Sequence, residues 1–115
     1  MLHCHIDHIA VTGASLAEGA EFVVKAIGLR PQPGGEHERM GTHNMVLRLG
    51  DSTYLEVIAP NPKAPRPQRP RWLALDDPKA VAKPRLGTWI ARTMNIREAI
   101  AAIAEPLGQV EPMSR

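Results

Sequence analysis

Two side chains have the types and placement to do chemistry together, His8 and Glu56. His8 lies in the stretch HIDHIAVT, His5 to Thr12, where Ile6, Ile9 and Val11 read as a β-strand. Strand side chains alternate between faces, so with Ile9 and Val11 on a core, His8, Ala10 and Thr12 point the other way. Glu56 lies in TYLEVIA, Thr53 to Ala59, where Leu55 and Val57 take the core side and Tyr54, Glu56 and Ile58 share the opposite face. An isolated carboxylate costs several kcal/mol to bury unless it is paired, protonated or bound to a metal. Glu56 therefore belongs either to a solvated face or to a site. With an imidazole beside it, that site could ligate a divalent metal or move a proton.

Other polar residues read less sharply. Asn44 is either a hydrogen-bonding group in a cleft or a structural amide holding a strand edge. Trp72, with Leu73 and Leu75, marks where a proline-rich segment docks back on the domain, and its indole could also roof a cleft and contact a ligand. His3 is the third residue, so the terminal amine, two backbone amides and its imidazole could hold copper or nickel in a square plane. That chemistry is open to any exposed chain start with histidine third. His3 and His5 read as solvated edge residues that share a face with Asp7 and lie opposite His8. Ser15 has no base near it in sequence, and Cys4 alternates in direction with its histidine neighbours. Gly34-Gly35 lacks the Lys-Ser/Thr and helix start of a phosphate loop.

The elements that must position His8 and Glu56 are legible. Ser15 to Ile27 is a helix: Ser15 caps it, Glu18 stands three residues on, Lys25 is in the last turn, and Gly28 suits a left-handed end. Leu16, Ala20, Val23, Val24 and Ile27 form its apolar stripe. Between Arg30 and Arg39, Pro31, Pro33 and Gly34-Gly35 allow only a short, irregular strand near an edge. Gly41 to Leu49 alternates, with Thr42, Asn44, Val46 and Arg48 on one face and His43, Met45, Leu47 and Leu49 on the other. Strand, helix and three strands follow in order, and a meander after the helical crossover brings the fourth strand beside the first. That arrangement puts His8 and Glu56 together on one concave face.

Composition excludes several classes. At 115 residues and 43% hydrophobic the chain is one small domain with a modest core. No apolar run approaches the ~20 residues of a membrane span, and the start lacks the regions of a signal peptide, so a cytoplasmic protein is expected. The single Cys4 fits a reducing compartment. A net charge of +2 with two Trp, one Tyr and one Phe offers no base-stacking surface, so no nucleic-acid partner is expected.

DHIAVTG, GTHN and YLEVIAP, taken together, resemble the opening module of the glyoxalase-like branch of the vicinal oxygen chelate superfamily. That superfamily holds glyoxalases, extradiol dioxygenases and binding proteins of the bleomycin-resistance type. The resemblance covers most of Leu2 to Pro60 and continues through RPRWLALD. It implies an α+β fold of βαβββ modules, each supplying one metal ligand from its first strand and one from its fourth. Here these would be His8 and Glu56, with zinc, manganese, iron or nickel as the ion.

Residues 1–60 then form the first module and 61–85 a linker rich in proline, with extended, polyproline-like stretches. Its Lys63, Arg66, Arg69 and Arg71 read as a solvated basic stretch. Residues 86–115 restart the pattern: IDHIAVTGASLAEGAEFV overlays LGTWIARTMNIREAIAAI without a gap, with Asn95 and Glu98 in the places of Ser15 and Glu18. Thr88 replaces His8 there and is a poor ligand. Only QVEPMSR follows Gly108, so third and fourth strands of a second module are missing. One chain supplies two ligands where three is the usual minimum. Three readings follow: a homodimer that completes the site, with Glu56 also shuttling a proton in a lyase, isomerase or dioxygenase acting on vicinal oxygens; a metal-free module binding a small molecule through His8, Asn44, Glu56 and Trp72; or a truncated remnant without activity.

Overall fold

The computed structural model describes residues 3–113. In chain order it contains β1 (Cys4–Thr12), α1 (Leu16–Ile27), β2 (Gln32–His37), a short 3-10 turn (Glu38–Met40), β3 (Thr42–Arg48), β4 (Tyr54–Pro60), β5 (Arg85–Thr93) and α2 (Ile96–Ala102). The strands form one five-stranded sheet in the order β2-β3-β4-β1-β5. β4 does return beside β1, in parallel, with His8 opposite Tyr54 and Ala10 opposite Glu56. β2 lies at the edge and carries a register shift between Pro33 and Glu36, where proline and glycine interrupt the ladder. The copper or nickel chemistry open to the chain start involves residues 1 and 2, which lie outside the described residues. No helix among those described is long and apolar enough to cross a membrane.

The α1 ends form as the side chains dictate. Ser15 Oγ accepts from the Glu18 amide at 3.2 Å, and its hydroxyl donates to Glu18 Oε2 at 3.0 Å. Gly28 closes the helix at φ 75°, its amide donating to Val24 O. The buried stripe differs from the expected one. Gly19, Ala20 and Val23 are buried and Phe22 packs beside them, whereas Ile27 is half exposed. Gly19 explains the rotation: a Cβ there would strike Val57 Cγ1, so its absence lets the helix turn this side down onto β4.

Alternation sorts the two faces of the sheet as expected. Val11, Leu55 and Val57 meet Val23 under α1, joined by Ile9, Met45 and Leu47. On the other face Ala10, Ile58 and Leu75 form a second cluster, with Trp72, Leu73, Val81 and Ile90 against it. Residues 61–84 contain neither helix nor strand, but they are seated rather than free. Leu75 is the deepest anchor at 2% exposure, and Trp72 covers the cluster beside it.

Arg71 clamps this strap. Its Nε donates to Gly41 O at 3.1 Å, while its amide and Nη1 donate to Asp76 at 2.7 and 2.6 Å. The backbone and side-chain hydrogen bonds from Arg71 hold the Asp76 carboxyl below its ordinary 3.8. A carboxyl depressed on folding stabilises above its unfolded value, and that contribution is lost as pH falls through the folded one. Acidification from just above 3.8 downward should therefore loosen the strap, read as a change in Trp72 emission in a Trp89→Phe background. Asp76→Asn should show the loosened emission already at neutral pH and lose that part of the acid response.

The internal repeat is real in three dimensions. The overlay equates Ile9 with Trp89, and these two residues are partners across β1 and β5. His8 pairs with Ile90, the equivalent of Ala10, and Ala10 pairs with Thr88, the equivalent of His8. The outer pairs Ile6 with Ala91 and Val11 with Leu86 obey the same relation across symmetric register shifts. A local two-fold axis thus passes between Ile9 and Trp89. Asn95 caps α2 as Ser15 caps α1, its Oδ1 accepting from the Glu98 amide at 3.1 Å. Beyond the cap the halves diverge. Only Ala99 of α2 is buried, Ile96 and Trp89 are 51% and 63% exposed, and no described strand pairs with the outer edge of β5.

Candidate functional site

β1 and β4 bring the two sequence candidates into contact. His8 and Glu56 are 7% and 6% exposed, and His8 Nε2 lies 3.4 Å from Glu56 Oε1. The cause is the parallel register: both side chains leave the sheet on the face away from α1, one step diagonally apart. Tyr54, directly opposite His8, stacks on its imidazole with centroids 4.6 Å apart and planes 12° from parallel.

Asn44 lines the cleft and also ties the strand edge. Its Nδ2 donates to Glu56 Oε2 at 2.6 Å, and its Oδ1 accepts from the Gly35 amide at 2.8 Å. A Cβ on Gly34 would collide with that same Oδ1, so the glycine pair that interrupts β2 also makes room for the amide. His37 arrives from the end of β2: its Nδ1 is 2.8 Å from Thr42 Oγ1, and its Nε2 is 3.4 Å from Asn44 Nδ2 and 3.9 Å from Glu56 Oε2. Trp72 meets His37 edge to face at 5.6 Å, so it roofs this corner as well as docking the strap. Its indole Nε1 is buried without a hydrogen-bond partner among the described residues. His43, on the opposite face of β3, is not in the site; burial pushes its imidazole below the ordinary 6.5.

Together these residues line a cleft of about 480 Å³. Its polar floor is His8, Glu56 and Asn44, and Ile58, Leu73 and Ile90 supply apolar wall.

Four contributors were not anticipated. Asp7 was expected on the face opposite His8, yet its Oδ2 lies 2.7 Å from His8 Nδ1 and the residue is only 6% exposed. The register shift between Ile6 and His8 breaks strict alternation and brings the carboxylate round to the ring. Arg92 of β5 donates from Nη1 to Asp7 Oδ1 at 3.1 Å and to Ser52 O at 2.8 Å. No local signal in the sequence points to Arg92, because its role depends on β5 pairing with β1. His37 was hidden by the irregularity of β2, whereas Tyr54 could have been found from its placement two residues before Glu56.

Electrostatically, the floor is unusual. A carboxylate that accepts from Arg92 presents an acceptor to His8 Nδ1, so that nitrogen carries the hydrogen. His8 Nε2 faces the Glu56 carboxylate at 3.4 Å, a distance that a proton or a cation between them would make favourable. Among the described residues no group of three or more His, Cys, Asp or Glu is gathered to hold a metal ion. His8 and Glu56 stand as a two-donor set.

The sequence model of a family described as a glyoxalase-like domain matches residues 6–115. Among curated proteins, none matches the chain.

Proposed function

The chain belongs to the glyoxalase-like domain family, within the vicinal oxygen chelate superfamily, and from that premise we propose that its cleft takes a small substrate with adjacent oxygen atoms over the His8–Glu56 pair. The observation that carries this reading is the 3.4 Å approach of a buried imidazole nitrogen to a buried carboxylate oxygen on the floor of a cleft of about 480 Å³. The reaction class is that of a lyase, isomerase or dioxygenase.

A divalent metal fits this pair in part. Two ligands each about 2.0–2.2 Å from one ion stand roughly 3.0–3.5 Å apart, which is the separation of Nε2 and Oε1. His8 and Glu56 would hold a zinc, manganese, iron or nickel ion, and a second copy of the chain would supply the remaining donors. The outer edge of β5, with which no described strand pairs, and exposed Trp89 support a homodimer. When bound, the ion supplies Lewis acidity to the substrate oxygens. The chain's own residues do the rest. Asn44 fixes the Glu56 carboxylate by Oε2, which turns Oε1 to the cleft, where it would ligate the ion or, when not ligating, take up a proton. Trp72, Leu73 and Ile90 exclude water from the floor.

A second reading has its own observation. Glu56 Oε2 is already held by Asn44, and the walls are apolar and aromatic, which also suits a metal-free module binding a small hydrophobic compound. Elemental analysis with light scattering, on untagged protein never exposed to chelator, separates the two. About one equivalent of a divalent metal per chain or per dimer, lost in His8→Ala, supports the first reading. A folded chain free of metal that still binds apolar compounds in the cleft overturns it in favour of the second. The lone Cys4 suits a reducing cytoplasm.

A further inference from the structure

We propose that Asp7, anchored by Arg92, is the positioning residue that holds His8 with Nδ1 protonated and the Nε2 lone pair in the cleft. The inference rests on the reading of His8 as the working imidazole, and it adds a role for two residues outside the family's expected ligand pair. Three contacts form one line across the sheet: Arg92 Nη1 to Asp7 Oδ1 at 3.1 Å, Asp7 Oδ2 to His8 Nδ1 at 2.7 Å, and His8 Nε2 to Glu56 Oε1 at 3.4 Å.

Burial gives the line its meaning. Asp7 is 6% exposed, and a carboxylate so placed costs several kcal/mol unless charge and hydrogen bonds compensate it. Arg92 provides the charge and the His8 ring provides a donor. The register shift between Ile6 and His8 brings Asp7 to the imidazole, although neighbours in a regular strand point apart. The local two-fold axis supplies a comparison. Asp7-His8 corresponds to Gly87-Thr88, where the same register shift is kept with neither carboxylate nor imidazole, and where a Cβ on residue 87 would strike Thr12. The carboxylate is absent where the imidazole is absent. Stacking on Tyr54 limits tilting of the ring, and Asp7 decides which of its nitrogens carries the hydrogen.

Because Arg92 sits on β5, the second half of the chain contributes a charge to the site as well as the Ile90 wall. Arg92 also donates to Ser52 O, in the turn that leads into β4. One guanidinium therefore ties β5, β1 and the approach to Glu56 together.

The test is carried out on the full, metal-free chain labelled with 15N. Long-range proton–nitrogen correlation spectra above neutral pH report the His8 tautomer, and cobalt(II) titration reports donor strength at Nε2. Wild type should show His8 protonated on Nδ1. In Asp7→Asn the amide can offer its own N–H to Nδ1, so the tautomer should move toward Nε2 protonation and cobalt affinity should fall by about 10–100-fold. Arg92→Ala should move both readouts in the same direction by less, and Arg92→Lys should restore them in part. Arg92 is 42% exposed at its side chain, so its variants also serve if Asp7→Asn fails to fold. Folded Asp7→Asn or Arg92→Ala protein with the wild-type tautomer overturns the proposal. If wild type binds no cobalt, the metal reading of the site falls, and the tautomer comparison alone decides the role of Asp7.

Discussion

Glu56→Gln is expected to abolish tight uptake of a divalent metal while leaving the fold intact. Glutamine has the shape of glutamate and keeps an oxygen to accept from Asn44 Nδ2, whose bond to Glu56 Oε2 is 2.6 Å. Its amide can donate to His8 Nε2, 3.4 Å from the present Oε1, so the two facing groups become a donor–acceptor pair. The polar network is then satisfied without any cation. Stability should stay close to wild type, and cobalt affinity should fall by more than about 100-fold, beyond the roughly 10–100-fold typical of an outer hydrogen-bond partner. If the protein has a proton-transfer activity, it should drop by about 10²–10⁴-fold in the same variant. Glu56→Ala should behave differently. It removes the 2.6 Å partner of the Asn44 amide nitrogen, adding about 1–3 kcal/mol of destabilisation. Equal cobalt binding by wild type and Glu56→Gln would remove Glu56 from the ligand set.

Ile58→Ala is expected to produce the largest loss of stability, about 2–5 kcal/mol. Ile58 is 2% exposed and lies at the centre of the cluster with Ala10 and Leu75, against Trp72 and Ile90. Small domains have about 5–15 kcal/mol in all, so this one change removes a large share. Two structures fail together, because Ile58 is both the seat of the 61–84 strap and wall of the cleft. Urea unfolding followed by tryptophan emission checks it: the midpoint should fall sharply, and ligand or metal binding should weaken even where the protein remains folded. Leu49→Ala, at a position 46% exposed, should stay within about 0.5 kcal/mol of wild type. A small effect at Ile58 would mean that the strap side contributes little to the core.

Much of the fold was written locally. The Ser15 and Gly28 ends of α1, the alternation of β3 and β4, the irregular β2 and the capped restart at Asn95 each follow from residues within a few positions of one another. Even the meeting of His8 and Glu56 could be reached, since alternation chose the face and strand order chose the neighbour. The misses have one character. Ile27 was expected to be buried, but Gly19 lets α1 roll onto Val57, a contact 38 positions away in the chain. Asp7 was assigned to the wrong face because a register shift is a property of two paired strands, here β1 and β5.

By itself the sequence determined the residue types of the site, the faces that carry them and the family to which the chain belongs. Periodicity and capping act over one or two turns or strand steps, and they need no knowledge of what the element packs against. Only the tertiary structure decided that Asn44 grips Glu56, that His37 and Tyr54 border the pair, and that Arg92 holds Asp7 against His8. Those contacts depend on angstrom-scale register between strands distant in the chain, and hydrogen bonds form or fail on that scale.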